Sequence, residues 1–184
     1  MTRPRLEGLL ALTAFGLTIP AANWLIGNAG TVCVPQGPCL IPVAPGVMAP
    51  SGVLMIGLAL VLRDLVQRRL GLGWAWLAVA AGTALSALLA PPSLVLASSA
   101  AFLLSETADL LVYTPLQRRN LVLAVLASGI VGLVVDSVFF LLIAFGDLGY
   151  LPGQVLGKLW MVLLALPLAA CLRRADARRG LLPA

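Results

Sequence analysis

Six apolar stretches, each close to the length a helix needs to cross a bilayer, follow one another along the chain with only short charged or Pro- and Gly-rich breaks between them. With 61% hydrophobic and 10% charged residues, too little polar surface remains to coat a water-soluble globule, so the chain reads as an integral membrane protein. A helix needs about 20 residues to cross the hydrocarbon core, which fills the 184 residues with six spans and leaves no room for a soluble domain. The expectation is a single membrane domain over residues 1–184, an all-α bundle of six transmembrane helices. The spans are read as Leu6–Ile26, Ala49–Val66, Gly73–Ala90, Ser93–Tyr113, Asn120–Phe145 and Leu151–Leu172. Gly27–Met48 is uncharged and holds Pro35, Pro38, Pro42 and Pro45, which suits an external or re-entrant loop better than a helix.

The cations set the orientation. Arg3 and Arg5, then Arg63, Arg68 and Arg69, then Arg118 and Arg119, then Arg173, Arg174, Arg178 and Arg179 fall on alternate breaks, so eleven of the twelve positive charges share one face. The positive-inside rule makes that face cytoplasmic, with both termini inside. The net charge of +5 is thereby read as topology and attraction to anionic lipid, and nucleic acid is not expected as a partner. Arg3 and Arg5 ahead of an apolar run imitate a signal peptide, but the run to about Ile26 is longer than a usual signal core and is read as a retained helix. Cys33 and Cys39 lie in the external loop, where a disulfide is chemically permitted, while Cys171 falls at the opposite face. The chain has no histidine, which removes His-based zinc sites, Ser-His triads and histidine proton relays; no metal and no cofactor are expected.

Three of the seven acidic residues, Glu106, Asp109 and Asp136, sit inside apolar spans. A charge at the bilayer centre is unfavourable by roughly 2.5–3.5 kcal/mol on insertion scales, so such groups face a bundle interior or a cavity. Helical spacing puts Ser99, Phe102, Glu106, Asp109 and Tyr113 in one stripe of the fourth span, and Ser128, Gly129, Gly132 and Asp136 on one side of the fifth. The sixth span opens with Gln154 and Lys158 one turn apart, Lys158 being the chain's only lysine, and the first carries Asn23 toward its outer end. A salt-bridge cluster that only fixes helix register is the plainer reading, but three acids against one lysine leave excess negative charge, which favours a functional site. Asp64 beside Arg63 reads equally well as a solvated helix-end pair or a site residue, and Gly129 and Gly132 read first as helix-packing positions.

A carboxylate at that depth can accept two parallel hydrogen bonds from an amidine-like edge, each contributing about 1.5–3 kcal/mol, and flat heterocycles suit Phe102 and Tyr113. Residue chemistry admits a small polar heterocycle or a cation. The strings LVLRDLVQRRLG (60–71), ASSAAFLLSETADLLVYTPLQRR (97–119), ASGIVGLVVDSVFFLLIAF (127–145) and GKLWMVLLALP (157–167) resemble the vitamin uptake transporter family, whose characterised members are queuosine precursor transporters. The resemblance runs from about Asn23 to Leu172 and is carried most specifically by Asp64, by Glu106 and Asp109, by Gly132, Asp136 and Ser137, and by Lys158. It implies a six-helix bacterial inner-membrane importer of 7-cyano-7-deazaguanine or 7-aminomethyl-7-deazaguanine, not an enzyme. It also implies that Asn23, Asp64, Glu106, Asp109, Asp136 and Lys158 bind the substrate.

Under that reading the base passes from near Asn23 and Lys158 to Glu106, Asp109 and Asp136 and leaves inward as the helices rock. The alternative is a substrate-binding component of an energy-coupling-factor vitamin importer, which would need an ATPase module, since no nucleotide-binding loop is present. A membrane hydrolase built on Asp109 and Asp136 is weaker, because paired-aspartate protease motifs are absent. The expected partners are the small-molecule substrate and the bilayer, with a homo-oligomer left open.

Overall fold

The computed structural model describes residues 3–35 and 37–180, which form six helices and one small sheet. The helices are α1 (Arg3–Asn28), α2 (Val53–Leu70), α3 (Leu72–Leu89), α4 (Val95–Leu116), α5 (Leu121–Phe145) and α6 (Leu151–Arg179). Five of them are long and apolar enough to cross a membrane. The exception is α2, whose 18 residues hold Arg63, Asp64, Arg68 and Arg69. α4 lies along α5, α1 lies along α2, α6 packs against α5 and α2, and α3 covers α2 and α4.

Helix ends follow local chemistry. Asn120 caps α5 by accepting from Val122 N at 3.1 Å, and Gly146, in the left-handed region at φ 72°, closes it. Gly71, at φ 97°, is the only residue between α2 and α3, a reversal that an L side chain would strain. Pro20 and Pro167 sit inside α1 and α6, as packed bundles tolerate.

Burial is inverted relative to a water-soluble bundle. Leu88 is 79% exposed and Leu96 71%, whereas Arg63, Asp109 and Lys158 are 0% exposed. Leucines facing outward and charges facing inward are what a lipid solvent demands.

The segment 27–48 is more ordered than its prolines suggest. Val32–Cys33 (β1), Cys39–Ala44 (β2) and Val47–Pro50 (β3) pair antiparallel in that order, with Cys33 opposite Cys39 and joined to it by a disulfide. Pro42 is tolerated in the central strand because the register with β3 breaks between Pro42 and Ala44. Ser51 Oγ donates to Leu25 O at 2.7 Å and Trp160 Nε1 to Val43 O at 3.0 Å, tying this sheet over the ends of α1 and α6.

At the other end, α6 continues well past Leu172, where the sequence reading ended the span. Buried Asp176 on that extension accepts from Arg68 Nε (2.8 Å), Arg68 Nη2 (2.6 Å) and Arg69 Nη1 (2.9 Å), and Arg69 Nε also meets Glu7 at 3.0 Å. The start of α1 and the ends of α2 and α6 are thus clasped together. Breaking a buried pair from one side is typically destabilising by about 3–5 kcal/mol. Asp176→Asn is therefore expected to lower the thermal midpoint of the purified protein clearly, and an unchanged melting curve would show that the clasp contributes little.

Candidate functional site

The six residues singled out in the sequence fall in three places. Asn23 and Asp136 line a cleft at the sheet end of the bundle, with Lys158 directly behind Asp136. Glu106 and Asp109 lie in a closed cluster at mid-helix. Asp64 belongs to that cluster and also lines a second, smaller cavity toward the arginine-bearing end.

Every helix contributes to the cleft, through Asn23, Ile56, Ser86, Phe102, Asp136 and Gln154 from α1 to α6 in turn. Phe102 is held with its ring 6.0 Å from that of Phe15, and Gly82 makes room for it, since a Cβ there would come within 2.7 Å of the ring. Lys158 places all three ammonium protons, donating to Asp136 Oδ2 (2.6 Å), Ser137 Oγ (2.9 Å) and Gln154 Oε1 (2.5 Å). Gly57 lets α2 approach α6 closely at this level: a Cβ on Gly57 would stand 2.9 Å from Lys158 Cα. Asp136 Oδ1 is left with only a 3.5 Å contact from Ser105 Oγ, in a lysine-held carboxylate that lines the cleft. Gln154, accepting through its oxygen, keeps its amide nitrogen as a donor. Asn23, whose Nδ2 donates to Ile19 O at 3.0 Å, keeps its oxygen as an acceptor. The cleft therefore offers two acceptors and a donor beside an aromatic face.

Arg63 organises the mid-helix cluster, which corrects its placement among the cations of the cytoplasmic face. Its Nε donates to Glu106 at 3.1 Å, Nη1 to Gln67 at 3.2 Å and Nη2 to Asp109, while Asp64 lies 2.9 Å from Nη2 in ion contact. The guanidinium also stands 5.6 Å over the ring of Tyr113, which is fully buried. The Arg63–Asp64 pair is thus not a solvated helix end. The three intramembrane acids do not share Lys158 as their only cation, because Glu106 and Asp109 take Arg63 and Asp136 takes Lys158. Among the described residues no group of three His, Cys, Asp or Glu is placed to hold a metal ion. At the acid cluster the guanidinium already occupies the position a cation would take.

Gly129 and Gly132 are packing positions. A Cβ on Gly129 would press to 2.9 Å from Val162 on α6, and one on Gly132 would meet Leu60 at 2.9 Å and Asp109 Oδ2 at 3.0 Å. Gly132→Val should therefore push the Asp109 carboxylate off Arg63 and lower the thermal midpoint of the purified protein, a buried ion contact broken from one side being typically destabilising by about 3–5 kcal/mol. Thermal unfolding in detergent checks this, and a wild-type melting curve would mean that Asp109 has room to move.

Arg63 was hidden by its neighbours Arg68 and Arg69, which do lie at the helix end. The signal that separates it is depth, since seven residues before Leu70 is about 10 Å along the axis, too far for easy contact with water. Gln154 was visible as the residue one turn before Lys158. Asp176 lay beyond the expected end of its span.

Residues 72–172, more than half of the chain, match the family described as Putative vitamin uptake transporter. The chain belongs to that family. No curated protein and no solved structure shows significant similarity to it. As a vitamin uptake transporter with five helices apolar enough to span, it is a multi-pass membrane protein. The matched segment carries Phe102, Glu106, Asp109, Asp136 and Lys158, whereas Asn23, Arg63 and Asp64 come from the part before it.

Proposed function

We propose that the protein is a bacterial inner-membrane importer of a planar, hydrogen-bonding heterocycle, and that its substrate is a queuosine precursor, 7-cyano-7-deazaguanine or 7-aminomethyl-7-deazaguanine. The observation that carries this reading is Asp136, whose Oδ1 is held only by a long 3.5 Å contact from Ser105 Oγ, lining a cleft that also holds Phe102, Asn23 and Gln154. A deazaguanine presents N–H donors for Asp136 and Asn23, a carbonyl acceptor for Gln154 and a flat face for Phe102. Lys158 orients the carboxylate, and the Arg63 cluster with Asp64, Glu106 and Asp109 closes the way beneath, so that passage requires the helices to move around it.

The same reading takes residues 1–184 as one membrane unit in which α2 is the sixth span, its charges hidden in the bundle and the clasped arginine end in the cytoplasm with both termini. The sheet and its disulfide then face the oxidising side, where such a bond persists. Asp109 and Asp136 each hold a separate cation, an arrangement that favours binding over acid-pair hydrolysis. The test is queuosine in tRNA from a host lacking both precursor synthesis and its own transporter, fed the cyano base at low concentration. Restoration by this chain alone is the expected outcome. No restoration despite verified membrane expression, with restoration once ATPase and scaffold subunits are supplied, would favour an energy-coupling-factor substrate-binding component instead.

A further inference from the structure

The second cavity lies between α2, α4, α5 and α6 at the arginine-bearing end, walled by apolar residues such as Leu121, Val125 and Leu168. Two of its lining residues, Arg68 and Tyr113, each carry a buried polar atom without a partner, Arg68 Nη1 and Tyr113 Oη, and a third, Asp64, has an Oδ1 whose one contact is the 2.9 Å ion contact with Arg63 Nη2. An unsatisfied buried donor or acceptor is typically unfavourable by about 1–3 kcal/mol, so Arg68 Nη1 and Tyr113 Oη beside one small space, next to the Asp64 carboxylate, call for something that satisfies them together. The rest of each group is already committed: Arg68 holds Asp176 through Nε and Nη2, and Asp64 Oδ2 accepts from Ser128 at 3.3 Å.

We infer that Asp64, Arg68 and Tyr113 form a second substrate site, which receives the polar edge of the heterocycle after it has passed Arg63. The set comprises an acceptor, a donor and a hydroxyl that is both, against apolar walls and an aromatic ring. Asp64 disfavours an anion there, and Arg63 and Arg68 disfavour a cation, which leaves an uncharged flat molecule with donors and acceptors on one edge. Asp64 is also an ion contact of Arg63, so a base bonding to Asp64 competes with the cluster that closes the path. The inference rests on the transport reading proposed above.

The test uses thiol labelling of the full-length protein with exposed Cys171 replaced by Ala and Val125 by Cys. Maleimide labelling is followed with and without saturating 7-cyano-7-deazaguanine, and equilibrium dialysis measures binding of the same base in parallel. The base should slow labelling about tenfold, and Tyr113→Phe should remove that protection while dialysis still reports tight binding at the Asp136 cleft. Asp136→Asn, which acts on the cleft, should leave protection at high base concentration. Dialysis that shows binding without protection of Val125→Cys overturns the second site and leaves the cavity a water-filled vestibule. Protection that survives Tyr113→Phe, or that disappears in Asp136→Asn alone, equally overturns it. If dialysis shows no binding at all, the substrate reading falls and this inference falls with it.

Discussion

Arg63→Met is expected to destabilise the folded protein by about 3–5 kcal/mol or more, because it strands three carboxylates buried within the bundle. Asp64, Glu106 and Asp109 are at most 2% exposed, and Arg63 is the cation that contacts all three. Arg63→Lys should not repair the loss, since one ammonium replaces a planar fork that now reaches Glu106, Gln67 and Asp109 from separate nitrogens. Neutralising the partners should: Arg63→Met combined with Glu106→Gln and Asp109→Asn removes most of the stranded charge, and replacing a whole buried ion cluster is often close to neutral. Thermal unfolding in detergent and the monodisperse yield read both effects. A single Arg63→Met protein that melts like wild type would mean that water or lipid headgroups reach the cluster and that the helices do not close there.

The second large effect is on binding. Asp136→Asn keeps the size of the side chain and an oxygen for Lys158, which retains Gln154 and Ser137 as acceptors. What it removes is the negative charge facing the cleft. If the base bonds to that oxygen through a charge-assisted pair, affinity should fall by about 1.5–3 kcal/mol, roughly ten- to over a hundredfold. Uptake should follow while membrane abundance stays normal. Asp136→Ala is less informative, because besides the charge it removes the oxygen that Asp136→Asn keeps for Lys158 and the volume of the side chain, and so adds a larger loss of stability. Uptake by Asp136→Asn at the wild-type level would remove the cleft from the transport path.

How far the chain could be read without its fold depended on the kind of signal. Helices announced themselves through apolar length, and most boundaries fell within a few residues: Asn120 and Phe145 bracket α5 nearly as expected because an Asn cap and a Gly stop mark its ends. The polar stripe of α4 was legible from spacing alone, since Phe102, Glu106, Asp109 and Tyr113 recur at three- and four-residue steps and are all buried. Partnership was not legible. Which cation meets which acid is decided by contacts between residues far apart in sequence, such as Arg63 with Glu106 and Asp109, and no period along one helix encodes them. The segment 27–48 was hidden for the opposite reason: its prolines argue locally against a ladder, and only the disulfide, the register break and the cover of α1 and α6 make a three-stranded sheet of it. Asp176 was obscured by composition, because an acid among Arg173, Arg174, Arg178 and Arg179 looks like part of a solvated tail until α6 is seen to continue through it.

The most direct test of the central claim, that Asp136 presents a carboxylate to a planar base in the cleft, is equilibrium binding of labelled 7-cyano-7-deazaguanine to purified wild-type and Asp136→Asn protein, with melting curves of both. The expected result is saturable wild-type binding, at least about tenfold weaker in the variant at a temperature where the melting curves show both ligand-free proteins folded, the variant melting lower because Lys158 has lost its counter-charge. Equal binding by the two proteins, or none by the wild type, would contradict it.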